Sequence, residues 1–330
     1  MKSTGYLTEK IADLYNLYLA YYKAKLGKQA KQEVVRYGKH LDEHLQTLRA
    51  RILEADVAVG KYHYFRIFDP KERIICAASF DERVLHHALM NICHPYFERS
   101  LVDDTFATRK GKGVYAALQR AKVHARHHAF VAKLDVRKYY DSVDHTVLKV
   151  QLRKKFKDAM LLKIFDSIID SYQTVPEKGL PIGNLTSQYF ANMYLSVLDH
   201  FALERWGATG LVRYMDDILL FADDKAALKQ CVQNLTQYAL NELKLTMKPP
   251  VFAKSQSGIP FLGYRVFPYK ILLAGRSKRR FRSKLMTYTD KYASGEWSEK
   301  TYADHLLPLL AFTQHAVSRD FRKSCLAVIR

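Results

Sequence analysis

The stretch Gly210-Leu211-Val212-Arg213-Tyr214-Met215-Asp216-Asp217-Ile218-Leu219-Leu220-Phe221-Ala222-Asp223 decides how the chain is read. Two apolar runs of strand length flank a pair of adjacent carboxylates, the pattern of a hairpin with Asp216 and Asp217 at its tip. Two like charges held side by side are costly unless a cation offsets their repulsion. Asp is also common in ordinary polar turns, so the tetrapeptide Tyr214–Asp217 alone leaves both readings open.

Upstream, Phe130–Val136 is a second short apolar run, and Asp135 ends it where a charge is unexpected. A third carboxylate delivered by a neighbouring strand would complete a cluster for two divalent ions, which act in phosphoryl transfer ~3.5–4 Å apart. Mg²⁺ suits such a cluster, because it takes carboxylate oxygens together with substrate phosphates. Tyr140, five positions after Asp135, is either a core aromatic like Tyr139 or a neighbour of a bound sugar.

Around these runs the pattern alternates between helix and strand. Thr8 is expected to cap a helix through Ile11, Leu14, Leu17 and Tyr21, and a second amphipathic helix is expected over Val35–Leu53. Residues 62–80 read as a hairpin with Pro70-Lys71-Glu72 near its turn, followed by a helix over Asp81–Phe97. Further helices are expected over Val147–Phe156, Thr186–Trp206 and Lys225–Leu243, and Phe261–Phe267 reads as one strand. The tail after Gly275 is helical and opens with the basic cluster Arg276–Lys284. The resulting fold class is α+β, with the acids on a central sheet.

Lys and Arg number 53 against 33 Asp and Glu, a net charge of +20, which points to a polyanionic partner: nucleic acid or an anionic membrane. No apolar run approaches the ~18 residues of a spanning helix, and the N-terminus has no apolar core of a signal peptide. Cys76, Cys93, Cys231 and Cys325 form no CxxC pair, so neither a disulfide framework nor a zinc site is expected and a reducing cytoplasm fits. The basic segment from Lys23 to Lys39 is either a solvated face or a template contact. His124, His127 and His128 could suggest a metal cluster, but they lie next to a basic strand entry and no Cys or acid is expected to complete a set.

Taken together, the motifs resemble those of a known family. Lys133–Asp141 (KLDVRKYYD) looks like the first catalytic motif of reverse transcriptases, Gly179–Gln188 (GLPIGNLTSQ) like the second and Arg213–Asp217 (RYMDD) like the third, in that order. Phe261–Tyr264 (FLGY) resembles the primer grip, and Phe65–Leu89 resembles the finger motifs of the group II intron-related branch. More narrowly, Ile182–Gln188 stands where most reverse transcriptases have QGxxxSP, and resembles the enzymes of diversity-generating retroelements. The segments TFATRKGKGVYAAL, RVLHHALMNICHPYFE and FANMYLSVLDHF fit that branch too. The resemblance runs from about Val35 to the end of the chain.

The resemblance implies a right-hand polymerase: N-terminal helices and fingers over 1–133, a palm with an antiparallel sheet over 134–274 and a small helical thumb over 275–330. It implies catalytic, metal-holding roles for Asp135, Asp216 and Asp217 toward two Mg²⁺ ions. Lys71, Arg73, Tyr140, Ile182 and Gly183 would contact the incoming dNTP, with Tyr140 as the steric gate against a 2′-hydroxyl. Phe261, Leu262, Gly263 and Tyr264 would form the primer grip, and Arg276, Lys278, Arg279, Arg280 and Arg282 would contact nucleic-acid backbone. The implied activity is RNA-directed DNA polymerisation that copies a template-repeat RNA into adenine-mutagenised cDNA. The implied partners are that RNA, the RNA/cDNA duplex and a small accessory variability-determinant protein, with no membrane and a cytoplasmic location. No RNase H, endonuclease or integrase segment is expected. The competing readings are a retron- or group II intron-type reverse transcriptase and a catalytically idle nucleic-acid-binding phage-defence protein.

Overall fold

Asp13 takes an extended conformation and its side chain accepts from the Asn16 N–H, which starts one helix and stops another. The computed structural model, which describes residues 6–68 and 72–327, therefore opens with α1 (Leu7–Ile11) and α2 (Leu14–Lys25) in place of one helix capped by Thr8. Thr8 lies inside α1, where its N–H and Oγ1 both donate to the Asp158 carboxylate at 2.8 Å. The expected helix over Val35–Leu53 is likewise two, α3 (Gln32–Lys39) and α4 (Leu41–Glu54), because His40 leaves helical geometry between them.

Strands β1 (Tyr62–Phe68) and β2 (Glu72–Ala78) form the expected antiparallel hairpin, and Ser79 caps α5 (Phe80–Glu98). Next come α6 (Val114–His127), β3 (Phe130–Asp135), α7 (Tyr139–Ser142), α8 (His145–Lys155) and α9 (Ala159–Asp170). The helix expected over Thr186–Trp206 is broken at Leu195 into α10 (Leu185–Tyr194) and α11 (Ser196–Glu204). At the break the Ser196 hydroxyl donates to the Met193 carbonyl at 2.7 Å, the back-bonding that bends helices. The hairpin β4 (Gly210–Tyr214) and β5 (Asp217–Ala222) follows as read, then α12 (Lys225–Asn241) and β6 (Val251–Lys254).

The stretch Phe261–Phe267 is not one strand. It folds back between β7 (Ile259–Phe261) and β8 (Tyr264–Val266), with Leu262 at φ 48° and Gly263 at φ 86° in the turn. Two consecutive left-handed residues match the twist of a tight hairpin, and Gly takes such a φ without strain. Strand β9 (Ile271–Leu273) completes that three-stranded sheet, and α13 (Gly275–Ala293), α14 (Glu299–Gln314) and α15 (Arg319–Leu326) end the described chain.

These elements gather into two units. The first combines Met1–Val102, Val136–His200 and Thr236–Met247; the second combines Asp103–Asp135, Phe201–Leu235 and Lys248–Arg330. In the first unit α5 packs on α2 and α10, around an aromatic cluster of Phe97, Phe156, Phe165 and Phe190. In the second, a four-stranded antiparallel sheet runs in the order β4-β5-β3-β6. One face of it packs on α6 and the small sheet through Val131, Val212, Leu219, Phe221, Phe261 and Tyr264. All four cysteines are free, buried thiols. Among the described residues no helix is long and apolar enough to cross a membrane.

Candidate active site

Cross-strand register brings the carboxylates together. Asp135, the last residue of β3, lies directly opposite Asp217, the first residue of β5. Opposed residues of an antiparallel pair share a face, with Cα atoms ~4.5–5.5 Å apart. That face is the one that continues inward through Leu219 and Phe221 to the core of the second unit. Asp216 is the second residue of the two-residue turn after Tyr214, which is itself paired with Asp217.

The turn is held under strain. Met215 has φ 53°, a conformation that favours glycine. Arg213, completely buried on β4, donates through Nη1 to the Met215 carbonyl at 3.2 Å. The β4 backbone is braced in turn by two bonds of 2.9 Å, Arg213 N–H to Asp104 O and Phe106 N–H to Arg213 O. Asp104 accepts from Arg120 Nε at 2.6 Å and lies 3.0 Å from His124 Nε2. Burial alone would raise the Asp104 pKa, but these partners outweigh it and hold it below the usual carboxylate range.

Two lysines that the sequence reading did not single out neutralise the cluster. Lys248 Nζ is 2.6 Å from Asp135 Oδ1, and its N–H donates to the Asp135 carbonyl at 2.8 Å. Lys133 Nζ donates to Asp217 Oδ2 at 3.2 Å and to the Pro260 carbonyl at 2.9 Å, tying the β3–β5 pair to β7. Lys133 was findable, because it stands two residues before Asp135 on a strand and so shares its face. Lys248 was not, being 113 residues from its partner.

Burial pushes the Asp217 carboxyl up to about 6; Lys133 opposes the rise, and the Asp135 and Asp216 charges add to it. Asp217 Oδ1 is buried and makes no hydrogen bond, though it lies 3.2 Å from Lys133 Nζ as an ion pair. A buried carboxylate beside two like charges, only partly offset by Lys133, suits a divalent cation, which would supply the remaining positive charge. Among the described residues no three His, Cys, Asp or Glu already stand in a metal-holding arrangement.

The first unit holds the other expected residues. Gly183, at φ 119°, passes so close to β2 that a Cβ there would lie 2.9 Å from Ile75 Cγ2. The Cys76 N–H donates to the Ile182 carbonyl at 2.8 Å, and the Ala78 N–H to Asn184 Oδ1 at 3.2 Å. Ile182 and Gly183 are thus docked on β2, which carries the exposed Arg73 on the same side as Ile75. Lys71 lies outside the described residues. Tyr140 is half-buried, its ring edge-on to Tyr139 at 5.8 Å and its carbonyl accepting from the Leu180 N–H at 2.7 Å.

In the second unit Phe261 and Tyr264 face the core on either side of the Leu262-Gly263 turn, and the Tyr264 hydroxyl donates to the Phe312 carbonyl at 2.6 Å. The α13 cations divide. Arg276 and Arg279 are exposed, whereas Lys278 and Arg282 lie 5.5 and 5.3 Å from the Phe321 ring. Arg280 lines a cavity beside Asp304 and His305. Of the three histidines, His124 and His128 face acids after all, at hydrogen-bonding distances of 3.0 Å to Asp104 and 3.4 Å to Asp223.

Comparison with known proteins adds four likenesses. Residues 68–266, more than half of the chain, match the family Reverse transcriptase (RNA-dependent DNA polymerase). The chain is 20% identical over 268 residues to Protein YkfC of Escherichia coli (strain K12), covering 66% of this chain and 70% of that protein. Among solved structures it is similar to apo telomerase from Candida Tropicalis, with a TM-score of 0.50, 12% identity, and coverage of 82% of this chain and 62% of that one. Telomerase from Candida albicans in complex with a TWJ fragment of telomeric RNA gives 0.46 and 14%, with 81% and 54% coverage. The chain spans little more than half the length of these telomerases, and the likeness concerns the fold: mixed helix and antiparallel sheet, of the right-hand polymerase kind.

Proposed function

Because the chain belongs to the reverse transcriptase family, and is an RNA-directed DNA polymerase and hence a nucleotidyltransferase, we propose that Asp135, Asp216 and Asp217 form its catalytic centre. One observation carries the assignment: Asp135 and Asp217 face each other in register while Asp216 occupies the strained turn beside them. Reverse transcriptase domains use divalent metal ions, and here the ions are assigned as two Mg²⁺ held by these carboxylates, Asp135 and Asp216 most directly. Bound there, they would activate a primer 3′-hydroxyl and stabilise charge on the transferring phosphate.

The chain's own residues do the rest. Lys133 and Lys248 hold the Asp217 and Asp135 side chains in position before ions arrive. Arg73 and Lys71 take the triphosphate of the incoming dNTP, where a cation offsets phosphate charge. Tyr140 excludes a ribose 2′-hydroxyl, and Ile182 and Gly183 line the nucleotide. Phe261, Leu262, Gly263 and Tyr264 hold the primer end, and the α13 cations engage backbone phosphates. In this reading the fingers, palm and thumb are residues 1–133, 134–274 and 275–330. Primer extension on an RNA template with Mg²⁺ tests the centre. Asp216→Asn should lose activity by several orders of magnitude and keep RNA binding; near-normal synthesis would refute the assignment.

Within the family, the motif Ile182–Gln188 supports the retroelement reading: a template-repeat RNA copied into adenine-mutagenised cDNA, with a small accessory protein, in the cytoplasm. Ile offers no donor or acceptor where most relatives of the motif carry Gln. One neutral hydrogen bond is worth ~0.5–1.5 kcal/mol, so its absence relaxes discrimination roughly 2- to 13-fold. Ile182→Gln should therefore lower misincorporation opposite template adenine more than opposite other bases. Sequenced cDNA with equal error spectra from both enzymes would remove Ile182 as the cause.

A further inference from the structure

The end of β3 away from Asp135 carries a second concave surface. Five residues at ~3.3 Å each place Phe130 about 17 Å from the carboxylates, so the two places are separate. Here a cavity of about 840 Å³ is lined by Arg126 and His127 from α6, Lys254 from β6, and Phe267, Tyr269 and Lys270 from the β8–β9 turn. That volume is within the range of small-ligand pockets.

Its composition is cationic and aromatic. Tyr269 is 77% exposed, and the Arg126 guanidinium lies 5.1 Å from its ring. Lys270 Nζ and the Arg265 guanidinium lie 5.6 and 5.7 Å from the Phe267 ring. The acid in the lining, Asp223, is already engaged: Oδ1 accepts from the Ala129 N–H at 3.1 Å, and Oδ2 faces His128 Nδ1 at 3.4 Å.

The platform is fixed in place. The Phe267 N–H donates to the Lys270 carbonyl at 2.8 Å, closing the turn that presents Tyr269. Phe267 rests on the bare backbone of Gly258, whose Cβ, were there one, would be 2.6 Å from the ring. An aromatic carried on a turn that is already closed requires less ordering of backbone when a base stacks on it.

We propose that this pocket binds unpaired polynucleotide, with one base stacked on Tyr269 and the flanking phosphates held by Arg126, Lys254 and Lys270. Aromatic faces interleaved with cations are how single strands are gripped without sequence preference. A concave pocket admits an extruded base, whereas a lipid surface would call for a protruding apolar face. The inference is independent of the carboxylate centre, since no residue is shared.

The full chain can be tested with fluorescein-labelled 12-mers of uridine and of deoxythymidine at several salt concentrations. Tyr269→Ala is expected to weaken binding about tenfold, and Tyr269→Phe to leave it near the parent value, because stacking needs the ring and not the hydroxyl. Lys254→Ala and Lys270→Ala should each reduce the salt slope by about one. Primer extension on a preformed RNA–DNA duplex should be unchanged in all of them. A 4-thiouridine version of the strand should crosslink to the peptide carrying Tyr269. Preference for the uridine strand would assign the pocket to RNA, and equal binding would assign it to the base and phosphate chemistry that RNA and cDNA share. Parent-like affinity in Tyr269→Ala, or crosslinks confined to other segments, would overturn the proposal. Loss of binding to phosphatidylserine vesicles alone, with oligonucleotide affinity intact, would overturn it in favour of a lipid surface.

Discussion

The antiparallel hairpins β4–β5 and β1–β2 are of similar length and differ in almost every other respect. In β4–β5 nine of the strand residues are buried and the turn is a strained Met215-Asp216 pair fixed by Arg213. In β1–β2 most side chains face solvent, Phe68 at 73% and Ile74 at 56% exposure, and only the end of β2 near Cys76 and Ala78 is buried. Burial on both faces leaves β4–β5 one register and one tip position, which suits a place where carboxylates must stand at fixed separations. The exposed hairpin is anchored near Cys76 and Ala78 by the Ile182–Asn184 segment and at Tyr62 by the Ser171 hydroxyl and the Tyr172 ring, whereas Phe68 and Glu72 lie exposed.

Three substitutions would break or sharpen that contrast. The largest effect belongs to Leu219→Ala in β5, a fully buried side chain in the core face below Asp217. It should cost about 2–5 kcal/mol in urea unfolding, because the sheet cannot collapse into the cavity; a loss under about 1 kcal/mol would mean the hairpin is less rigid than its packing implies. Gly183→Ala comes next. Its Cβ meets Ile75 and its φ is unfavourable for any L side chain, so roughly 1–3 kcal/mol of strain is expected. A neutral outcome would show that β2 can shift away from the segment docked on it. Ile74→Ala should be the mildest, within about 0.5 kcal/mol, since the side chain leaves water only in part. A larger loss would reveal that the exposed hairpin is packed in solution.

How much was legible follows from the range of each interaction. The carboxylate pair was visible because strand alternation and hairpin register are local, and Asp135, Asp216 and Asp217 are all strand ends or turns. The breaks at Asp13, His40 and Leu195 were not, because the apolar period continues across each and a cap or back-bond decides locally. Phe261–Phe267 read as one strand because its apolar residues run on; the Leu262-Gly263 turn is enforced by pairing with β9 as well as β7.

The sequence by itself determined the fold class, the hairpin that carries Asp216 and Asp217, the carboxylate at the end of β3 and the surplus of positive charge. These depend on residue type and on periods of two or 3.6, which a chain carries before it folds. Tertiary structure alone decided that Lys248 would neutralise Asp135 across 113 residues and that Gly183 would press against Ile75. It also decided that Arg126, Lys254 and Tyr269 would line one cavity. Those are meetings between segments far apart in the chain, fixed by strand order and packing, and no local pattern encodes which pairs will meet.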